Sequence, residues 1–301
     1  MEILDYLHLC DNATFFHTPM WLDTVKYYWG LDWRYHIEEI DGISVVMPIS
    51  VFTDVRQDYY FSTFKGYGGI LCSNASNEAI TDTQWLKIEE KCTAQYTNLK
   101  IRDNPLSLRE YHIPGEKLSD TGYMIKRGKE RAPGTHHKRN IKTAIKYGVV
   151  CRKAQQNEWF SFYQHCYLST ASAWKDPSII YDFSLLEFLQ QYAGAEIYIA
   201  LYNDQIIAGI VTLTFNRHTH LWLSGINQEY KNLMPLYLLI THLVDSLLPE
   251  NIKYIDLGIS GNNNNILMFK RGFGGEMYES FQYTSSPNFR QIKLIMSSLR
   301  R

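Results

Sequence analysis

The sequence lacks the features that mark several common classes of protein. No run reaches the roughly 18 apolar residues that a membrane-spanning helix needs, so no membrane span is expected. The formal net charge is only −1 over 301 residues, which argues against a protein that coats DNA or RNA. Five scattered cysteines form no CxxC pair, a pattern typical of reduced thiols in a cytosolic protein. The first residues carry no basic segment of a secretory signal, so a cytoplasmic location is predicted.

Several catalytic and ligand-binding motifs are also missing. The chain has no GxSxG elbow, no phosphate-binding GxxxxGK[ST] loop and no GxGxxG dinucleotide fingerprint. The pair His136-His137 has no second pair of ligands at a spacing that suits zinc, so no metal is expected. These absences exclude the common serine hydrolases, P-loop nucleotide hydrolases and Rossmann dehydrogenases.

Helical and alternating apolar patterns follow one another along the chain and predict an α/β fold with a mixed sheet. Helical spacing favours a helix over Thr18–Gly30, and Asp41-Gly42 predicts a hairpin between two strands. The length and a second run of similar elements favour two tandem domains, 1–118 and 119–301. Three glycines close together, Gly66, Gly68 and Gly69, suggest a loop where backbone approaches backbone or ligand, or a plain turn.

The second half centres on residues 196–283. Three strands are predicted at 196–204, 205–215 and 218–227, followed by a polar loop, an apolar helix over 236–248 and a strand over 253–260. The polar loop, 228–235, joins a strand to a helix N-terminus, where unpaired N–H groups can bind a pyrophosphate. It contains no glycine, so an ordinary strand–helix connection is the alternative.

Two polar sites near the end of this unit suggest chemistry. Asp256 lies between apolar residues of a buried strand, where a carboxylate would have a raised pKa and could act as a base, or would be a structural group bonded to backbone. Lys270 and Arg271 stand in the segment FKRGFGGE, where a lysine could stabilise an oxyanion or a phosphate. A solvated glycine-rich turn is the alternative for this segment.

The strongest charge cluster runs from Lys126 to Lys153, with ten Lys or Arg against one acid. Residues 137–153 are predicted to form a basic helix that could bind the phosphates of a nucleotide or of tRNA. A solvated helix face is the alternative.

Taken together, several segments resemble the Fem-like (FemAB-type) branch of the GNAT acyltransferase superfamily. These segments are HHKRNIKTAIKYGV, IAGIVTLTF, SGINQEYKNLMP, YIDLGIS and FKRGFGGE, with FFHTPMWL and KGYGGILC in the first half. The resemblance implies two GNAT-like domains, of which the second holds the acyl donor. It implies an N-acyltransferase acting on an amine of a cell-envelope or sugar-nucleotide precursor, and assigns acyl transfer to Lys270.

The expected donor is acyl-CoA, for example acetyl-CoA, and the alternative is aminoacyl-tRNA, as in the peptidoglycan-bridge aminoacyltransferases. The loop in the place of the GNAT pyrophosphate loop lacks that loop's glycines, and the long helical hairpin by which some bridge-forming members meet tRNA is absent. A non-catalytic GNAT-fold binding protein, and an RNA-binding protein, are further alternatives. The predicted donor-binding residues are Ile226, Asn227, Gln228, Asn232, Leu233 and Met234.

The predicted mechanism is attack of an amine on an activated acyl carbon. Asp256 is the expected base, and Lys270 or the backbone N–H of Ile226 is expected to face the oxyanion. Arg139 and Lys142 are expected to bind phosphates of the acceptor, and Tyr67 and Trp174 to line a groove for it. No metal and no DNA partner are expected.

Overall fold

The computed structural model describes residues 1–55, 57–73, 80–107, 109–174, 180–261 and 263–286. The apolar spacing of Trp85, Ile88 and Cys92 also predicts a helix over 78–97, and the run of asparagines after Gly261 predicts a turn; residues 78–79 and Asn262 of these two features lie outside the described ranges. The chain forms two compact units, one made of Met1–Asp120 together with the segment that begins at Glu279, the other of Thr121–Tyr278. Each unit has its own hydrophobic core.

The described helices and strands follow the order that the sequence patterns predict for a mixed α/β fold. The α-helices are α1 (Ile3–His8), α2 (Pro19–Trp29), α3 (Asp82–Thr93), α4 (Thr135–Lys146), α5 (Trp159–Phe162), α6 (Leu168–Ala171), α7 (Phe183–Leu189), α8 (Pro235–His242) and α9 (Asn264–Arg271). The strands are β1 (Asp32–Ile40), β2 (Ile43–Thr53), β3 (Asp58–Ser62), β4 (Leu71–Cys72), β5 (Leu99–Arg102), β6 (Glu116–Lys126), β7 (Val150–Lys153), β8 (Ala195–Tyr202), β9 (Gln205–Phe215), β10 (His218–Ile226), β11 (Tyr254–Ile259) and β12 (Glu276–Thr284).

In the first unit, local signals place the elements as predicted. Thr18 caps α2 through its side chain, Pro19 occupies the first turn and Gly30 ends the helix in the left-handed conformation. Asp41 and Gly42 both have positive φ and turn β1 into β2, as a tight hairpin requires. The sheet continues from β2 to β3, from β3 in parallel to β5, and from β5 to residues 282–284 of β12.

The glycine loop of the first unit is explained by packing. A Cβ on Gly66 would lie 2.4 Å from the Phe16 ring, and one on Gly68 would lie 1.4 Å from the backbone oxygen of Ser62. Neither position has room for a side chain. The loop is therefore a place where backbone approaches other parts of its own unit.

In the second unit, the strand order is β6-β11-β10-β9-β8-β7. All neighbours are antiparallel except β10 and β11, which run parallel and pair only at His218–Tyr254, Thr219–Ile255 and His220–Asp256. Both strands continue past the last of these pairs, β10 to Ile226 and β11 to Ile259. The sheet therefore opens between them beyond His220 and Asp256, at the carboxyl ends of two parallel strands.

Apolar side chains of α8 fill the space beneath this sheet. Leu238 and Leu239 of α8, and Leu243 directly after it, are buried against Ile207, Ile255 and neighbouring core residues. This burial explains why the predicted helix over 236–248 is apolar on most of its surface. The helix starts at Pro235 and passes into a π-helical stretch, Leu243–Leu247.

Three local predictions differ from the structure. The predicted basic helix 137–153 ends at Lys146, and Val150–Lys153 form the edge strand β7, because Gly148 turns the chain with φ +76°. The predicted polar loop after β10 is a 3₁₀-helix over Gln228–Leu233. The segment predicted as a turn around Lys270 is the helix α9, whose N–H groups Asn263 caps.

Within the described ranges, no helix combines the length and the apolar character that crossing a bilayer demands. Over the same ranges, no group of three or more His, Cys, Asp or Glu side chains has the arrangement of a metal site. All five cysteines are described, and none is joined in a disulfide.

Candidate active site

The opening between β10 and β11 holds a cluster of polar side chains built around Asp256. This carboxylate is 0% exposed. Its Oδ1 accepts hydrogen bonds from the Gly258 N–H and the Tyr278 hydroxyl, each at 2.7 Å, and its Oδ2 lies 2.7 Å from Nδ1 of His220. His218, on the same face of β10, has its Nε2 4.0 Å from the same Oδ2. Three neighbouring elements thus converge on one buried carboxylate.

The expected raised pKa of Asp256 is wrong. Burial does raise the pKa, but the charge and hydrogen bond of His220, the charge of His218 and the Tyr278 hydrogen bond outweigh it and hold the pKa below its ordinary value. Asp256 is therefore ionised at neutral pH. Because the carboxylate is ionised, it accepts the hydrogen bond, and Nδ1 of His220 carries the proton.

Tyr278 reaches Asp256 across a glycine. A Cβ at Gly122 of β6 would lie 2.2 Å from Cζ and 2.4 Å from the hydroxyl oxygen of Tyr278. Any larger residue at position 122 would therefore push the tyrosine ring off the carboxylate.

Lys270 extends from α9 to the same place. Its Nζ donates hydrogen bonds to the backbone oxygens of Gly258 at 2.9 Å and of Ile259 at 2.7 Å. Gly258 has φ +76°, and a Cβ there would lie 3.1 Å from Cε1 of His220, 3.7 Å from Nε2 of His220 and 3.6 Å from Nζ of Lys270. The ammonium group and the imidazole thus face the same small space beside Gly258.

The glycines of the FKRGFGGE segment hold α9 in position. His137 of α4 donates from Nε2 to the Phe269 carbonyl at 2.8 Å, and a Cβ on Gly272 would lie 1.9 Å from the His137 ring. Phe273 is buried and contacts the His137 ring edge-on at 4.6 Å between centroids. The glycines of this segment therefore allow α9 to pack closely against α4, and this packing fixes the position of Lys270.

The backbone donors of the predicted donor-binding loop are largely engaged. The Ile226 N–H donates to Thr170 Oγ1 at 2.8 Å, and the Asn227 N–H to the Ile207 carbonyl at 2.9 Å. The N–H groups of Gln228, Glu229, Tyr230 and Met234 also have partners, namely Ser169 Oγ, Asn227 Oδ1, the Asn227 carbonyl and the Lys231 carbonyl. Of the remaining predicted residues, Asn232 is exposed, and Leu233 and Met234 are half-buried.

The basic cluster divides into two groups. Six cations bond within the unit: Lys126 and Lys129 to Glu276, Arg127 to three backbone carbonyls, Arg131 to Asp245, Arg152 to Glu158 and Lys153 to Glu196. The four on α4 are exposed; they are Lys138, Arg139, Lys142 and Lys146. The predicted phosphate ligands Arg139 and Lys142 thus lie on a solvated helix face.

The two aromatic residues predicted to line a groove have different environments. Tyr67 is 3% exposed and packs edge-on against Phe16 at 5.4 Å between centroids, in the first unit. It is a core residue, which corrects the expectation of a groove lining. Trp174, in the second unit, is half-buried and contacts the Tyr167 ring at 5.8 Å.

Sequence reasoning missed His220 and Tyr278. The signal for the first is the pattern His218-Thr219-His220, which puts two histidines on one face of a strand and beside the following parallel strand. Tyr278 carries no such signal, since its partner Asp256 lies 22 residues earlier on another strand.

Comparison with known proteins identifies a domain within the chain. Residues 136–271, which carry His220, Asp256 and Lys270, match the model of the acetyltransferase (GNAT) domain. This stretch is a GNAT domain. The chain thus carries a GNAT-type acyltransferase domain, as the resemblance predicted. No curated protein matches the chain by sequence.

Solved structures extend the likeness from the GNAT domain to the whole fold. FemX superposes with a TM-score of 0.69 at 12% identity, covering 98% of this chain and 99% of that one. The C-terminal domain of a putative lysylphosphatidylglycerol synthetase from Agrobacterium fabrum gives 0.55 at 10% identity, covering 98% and 96%. L-PGS from Bacillus licheniformis gives 0.54 at 9% identity, covering 94% and 97%. The mixed α/β fold, with the architecture of FemX, is confirmed.

Proposed function

We propose that this protein transfers an acyl group from an activated ester or thioester to an amine, at the opening between β10 and β11. The observation that carries the proposal is the convergence of Lys270 and the His220–Asp256 pair on the space beside Gly258. A tetrahedral intermediate of acyl transfer develops negative charge on the former carbonyl oxygen. The Lys270 ammonium, held by two backbone carbonyls, is oriented to receive that charge.

The donor we propose is an aminoacyl ester, as carried by aminoacyl-tRNA. A CoA pyrophosphate needs several unengaged N–H groups at the turn after β10. In this chain, the N–H groups of residues 226–230 donate hydrogen bonds to acceptors within the protein. Pro235, at the start of α8, has no N–H to offer. Two proteins of similar fold are named as a putative lysylphosphatidylglycerol synthetase and as L-PGS. Lysylphosphatidylglycerol carries a lysyl group, which is an aminoacyl group, in an ester bond. The sequence-based prediction of acyl-CoA as the donor is tested by the transfer assay described below.

The acceptor we propose is an amine on an anionic precursor of the cell envelope, such as a nucleotide-linked sugar. Support comes from α4, where Lys138, Arg139, Lys142 and Lys146 are exposed and no acid interrupts them between Thr135 and Lys146. These cations suit phosphates of the acceptor or of a tRNA. Trp174 remains a proposed acceptor contact.

The test is a transfer assay with acetyl-CoA, longer acyl-CoAs and bulk aminoacyl-tRNA as donors, read by mass spectrometry of a panel of amines. Thermal shift with each donor alone measures binding separately, since a ligand at a hundredfold excess over its Kd stabilises by about 2.7 kcal/mol. We expect both product formation and thermal stabilisation with aminoacyl-tRNA, and neither with any acyl-CoA. Product with acyl-CoA alone would overturn the donor assignment, and no product with any donor would favour a non-catalytic binding protein.

A further inference from the structure

The chemistry proposed above needs a group that takes a proton from the attacking amine, and Asp256 is badly placed for it. The carboxylate is 0% exposed, and both of its oxygens are engaged by Gly258, Tyr278 and His220. An amine in the opening cannot reach either oxygen without displacing one of these partners.

We propose that His220 is the proton acceptor of acyl transfer, and that Asp256 is a positioning residue that fixes the imidazole with its Nε2 facing the substrate. This proposal rests on the proposed function and names a catalytic residue of the same site. The observation behind it is that one ring nitrogen of His220 is 2.7 Å from the buried carboxylate while the other borders the space beside Gly258.

The orientation of the ring follows from its surroundings. A hydrogen bond from Nδ1 to an ionised carboxylate leaves the lone pair of the neutral ring on Nε2. The charged and titratable groups around His220 are Asp256 on β11, His218 on its own strand, Tyr278 on β12 and Lys270 on α9. Leu213 pairs with it from β9 and brings no charge.

Gly258 keeps the neighbourhood of the imidazole and the ammonium clear of a side chain. Its φ of +76° is a conformation that side chains rarely adopt, and a Cβ there would crowd Cε1 of His220 at 3.1 Å while lying 3.7 Å from Nε2 and 3.6 Å from Nζ. A proton acceptor and a cation therefore lie close to the same point of the backbone. An acyl group bound beside Gly258 would have both groups at hand.

The step balances as follows. The amine nitrogen forms a bond to the acyl carbon, and the carbonyl oxygen takes the electron pair of the C=O π bond next to Lys270. Nε2 of His220 removes one proton from the nitrogen. The oxygen pair then re-forms the carbonyl, the bond from carbon to the donor oxygen breaks, and the proton on Nε2 passes to that leaving oxygen. The amide, the free donor alcohol and neutral His220 result.

The kinetic test compares His220→Asn with wild type. The asparagine amide can still donate to Asp256 but offers no nitrogen lone pair at the Nε2 position, so kcat should fall about 10²- to 10⁴-fold. The acid limb of the pH–kcat profile, which reports the base in the bound complex, should vanish in this variant. His165→Asn, an exposed histidine of the same unit, is the control and should match wild type.

Chemical rescue separates a base from a structural histidine. Added imidazole should restore part of the activity of His220→Ala, because it can occupy the vacated ring position and accept the proton. A structural histidine would give no rescue. Wild-type activity in His220→Asn, or the absence of rescue in His220→Ala, would overturn the assignment of the base while leaving acyl transfer intact.

A second readout does not depend on activity. Long-range ¹H–¹⁵N spectra of histidine-labelled protein, with His220→Asn to assign the signal, should give the neutral ring protonated on Nδ1. In Asp256→Asn the amide can donate to Nδ1, so the proton should move to Nε2. A wild-type His220 ring protonated on Nε2 would overturn the assignment of His220 as the proton acceptor. An Nδ1-protonated ring in a protein that transfers no acyl group would instead overturn the proposed function.

Discussion

Among the buried histidines, one in the first unit and one in the second are held in different ways. His17 in the first unit is 0% exposed, and its Nδ1 accepts from the N–H of Thr14, three residues earlier, at 3.1 Å. Burial lowers its pKa to about 4, so the ring stays neutral with its proton on Nε2. His220 in the second unit instead donates from Nδ1 to a carboxylate on the adjacent strand.

The difference teaches how to separate structural from chemical histidines. His17 closes a capping box on a 3₁₀ turn, a local task that a neutral ring performs. His220 is paired through Nδ1 with a buried carboxylate on the adjacent strand, a tertiary contact. A ring fixed in this way presents its other nitrogen in one direction, which suits catalysis.

After the loss predicted for His220→Asn, the largest expected effect is at Lys270. Lys270→Ala should lower kcat about 10²- to 10³-fold, because the oxyanion loses a charged donor. Arg271→Ala is the matched control, since it removes the next cation of the same helix, whose side chain is exposed. The measurement is single-turnover acyl transfer with saturating donor. An unchanged rate in Lys270→Ala would remove this residue from the mechanism.

The next effect concerns the pH dependence of stability at His17. Its folded pKa lies below the unfolded value near 6.5, so its contribution is fully present above pH 6.5 and is lost as the pH falls toward 4. The loss amounts to about 3 kcal/mol. Asp103 in the same unit acts in the opposite direction, because burial raises its pKa to about 6, and protonation of its carboxyl stabilises the fold as the pH falls from 6 to 4.

His17→Gln isolates the histidine from Asp103. Glutamine suits the third position of a capping box, so the turn is kept while the titratable ring is removed. The difference in the free energy of unfolding between variant and wild type should change by about 3 kcal/mol between pH 7 and pH 4, in favour of the variant at low pH. A pH-independent difference would mean that His17 titrates normally, and the contrast with His220 would weaken.

A smaller effect is expected at Gly122. Gly122→Ala places a methyl group 2.2 Å from Cζ of Tyr278, so the ring must leave Asp256, at a cost of about 1–3 kcal/mol. Gly134→Ala is the control, because the nearest atom to its Cβ is 3.9 Å away. Urea unfolding measures both variants. Equal stabilities would show that Tyr278 is not fixed by this contact.

The smallest effect is expected for Tyr278→Phe, which keeps the ring and removes one hydrogen bond to the buried carboxylate. The loss should be about 1–2 kcal/mol of stability. Since that bond also helps to lower the pKa of Asp256, acid unfolding should begin at a higher pH in the variant. Tyr147→Phe, at an exposed tyrosine, is the control. Acid titration followed by circular dichroism is the measurement.

Local patterns predicted most of the fold. The hairpin at Asp41-Gly42, the helix ended by Gly30 and the strands of residues 196–227 follow from turn residues and periodicity, which act over a few positions. The helix α9 was missed, although Asn263 is a cap residue before a short helical stretch. The glycines after it predict a turn. In the structure, Gly272 leaves room for the ring of His137, which lies 135 positions earlier in the chain.

Less of the candidate site than of the fold could be predicted from the sequence. Lys270 entered through a family motif, but the pKa direction of Asp256 depends on His220 and Tyr278, which lie 36 and 22 residues away. A buried aspartate by itself has a raised pKa, and only the partners reverse the sign. Tertiary contacts of this kind leave no local trace in composition or spacing.

The path of the chain has a consequence for biosynthesis. The strand residues Gln282–Thr284 pair with Lys100–Arg102 inside the first unit, so that unit draws on segments that precede and follow the second unit in the chain. Ser285 and Leu99 are tied in the same way. A ribosome must therefore deliver residues up to Ser285 before the first unit can complete its strand pairing, whereas the GNAT domain is fully translated earlier. The enclosed domain can fold first, and the flanking unit can complete its pairing only after it.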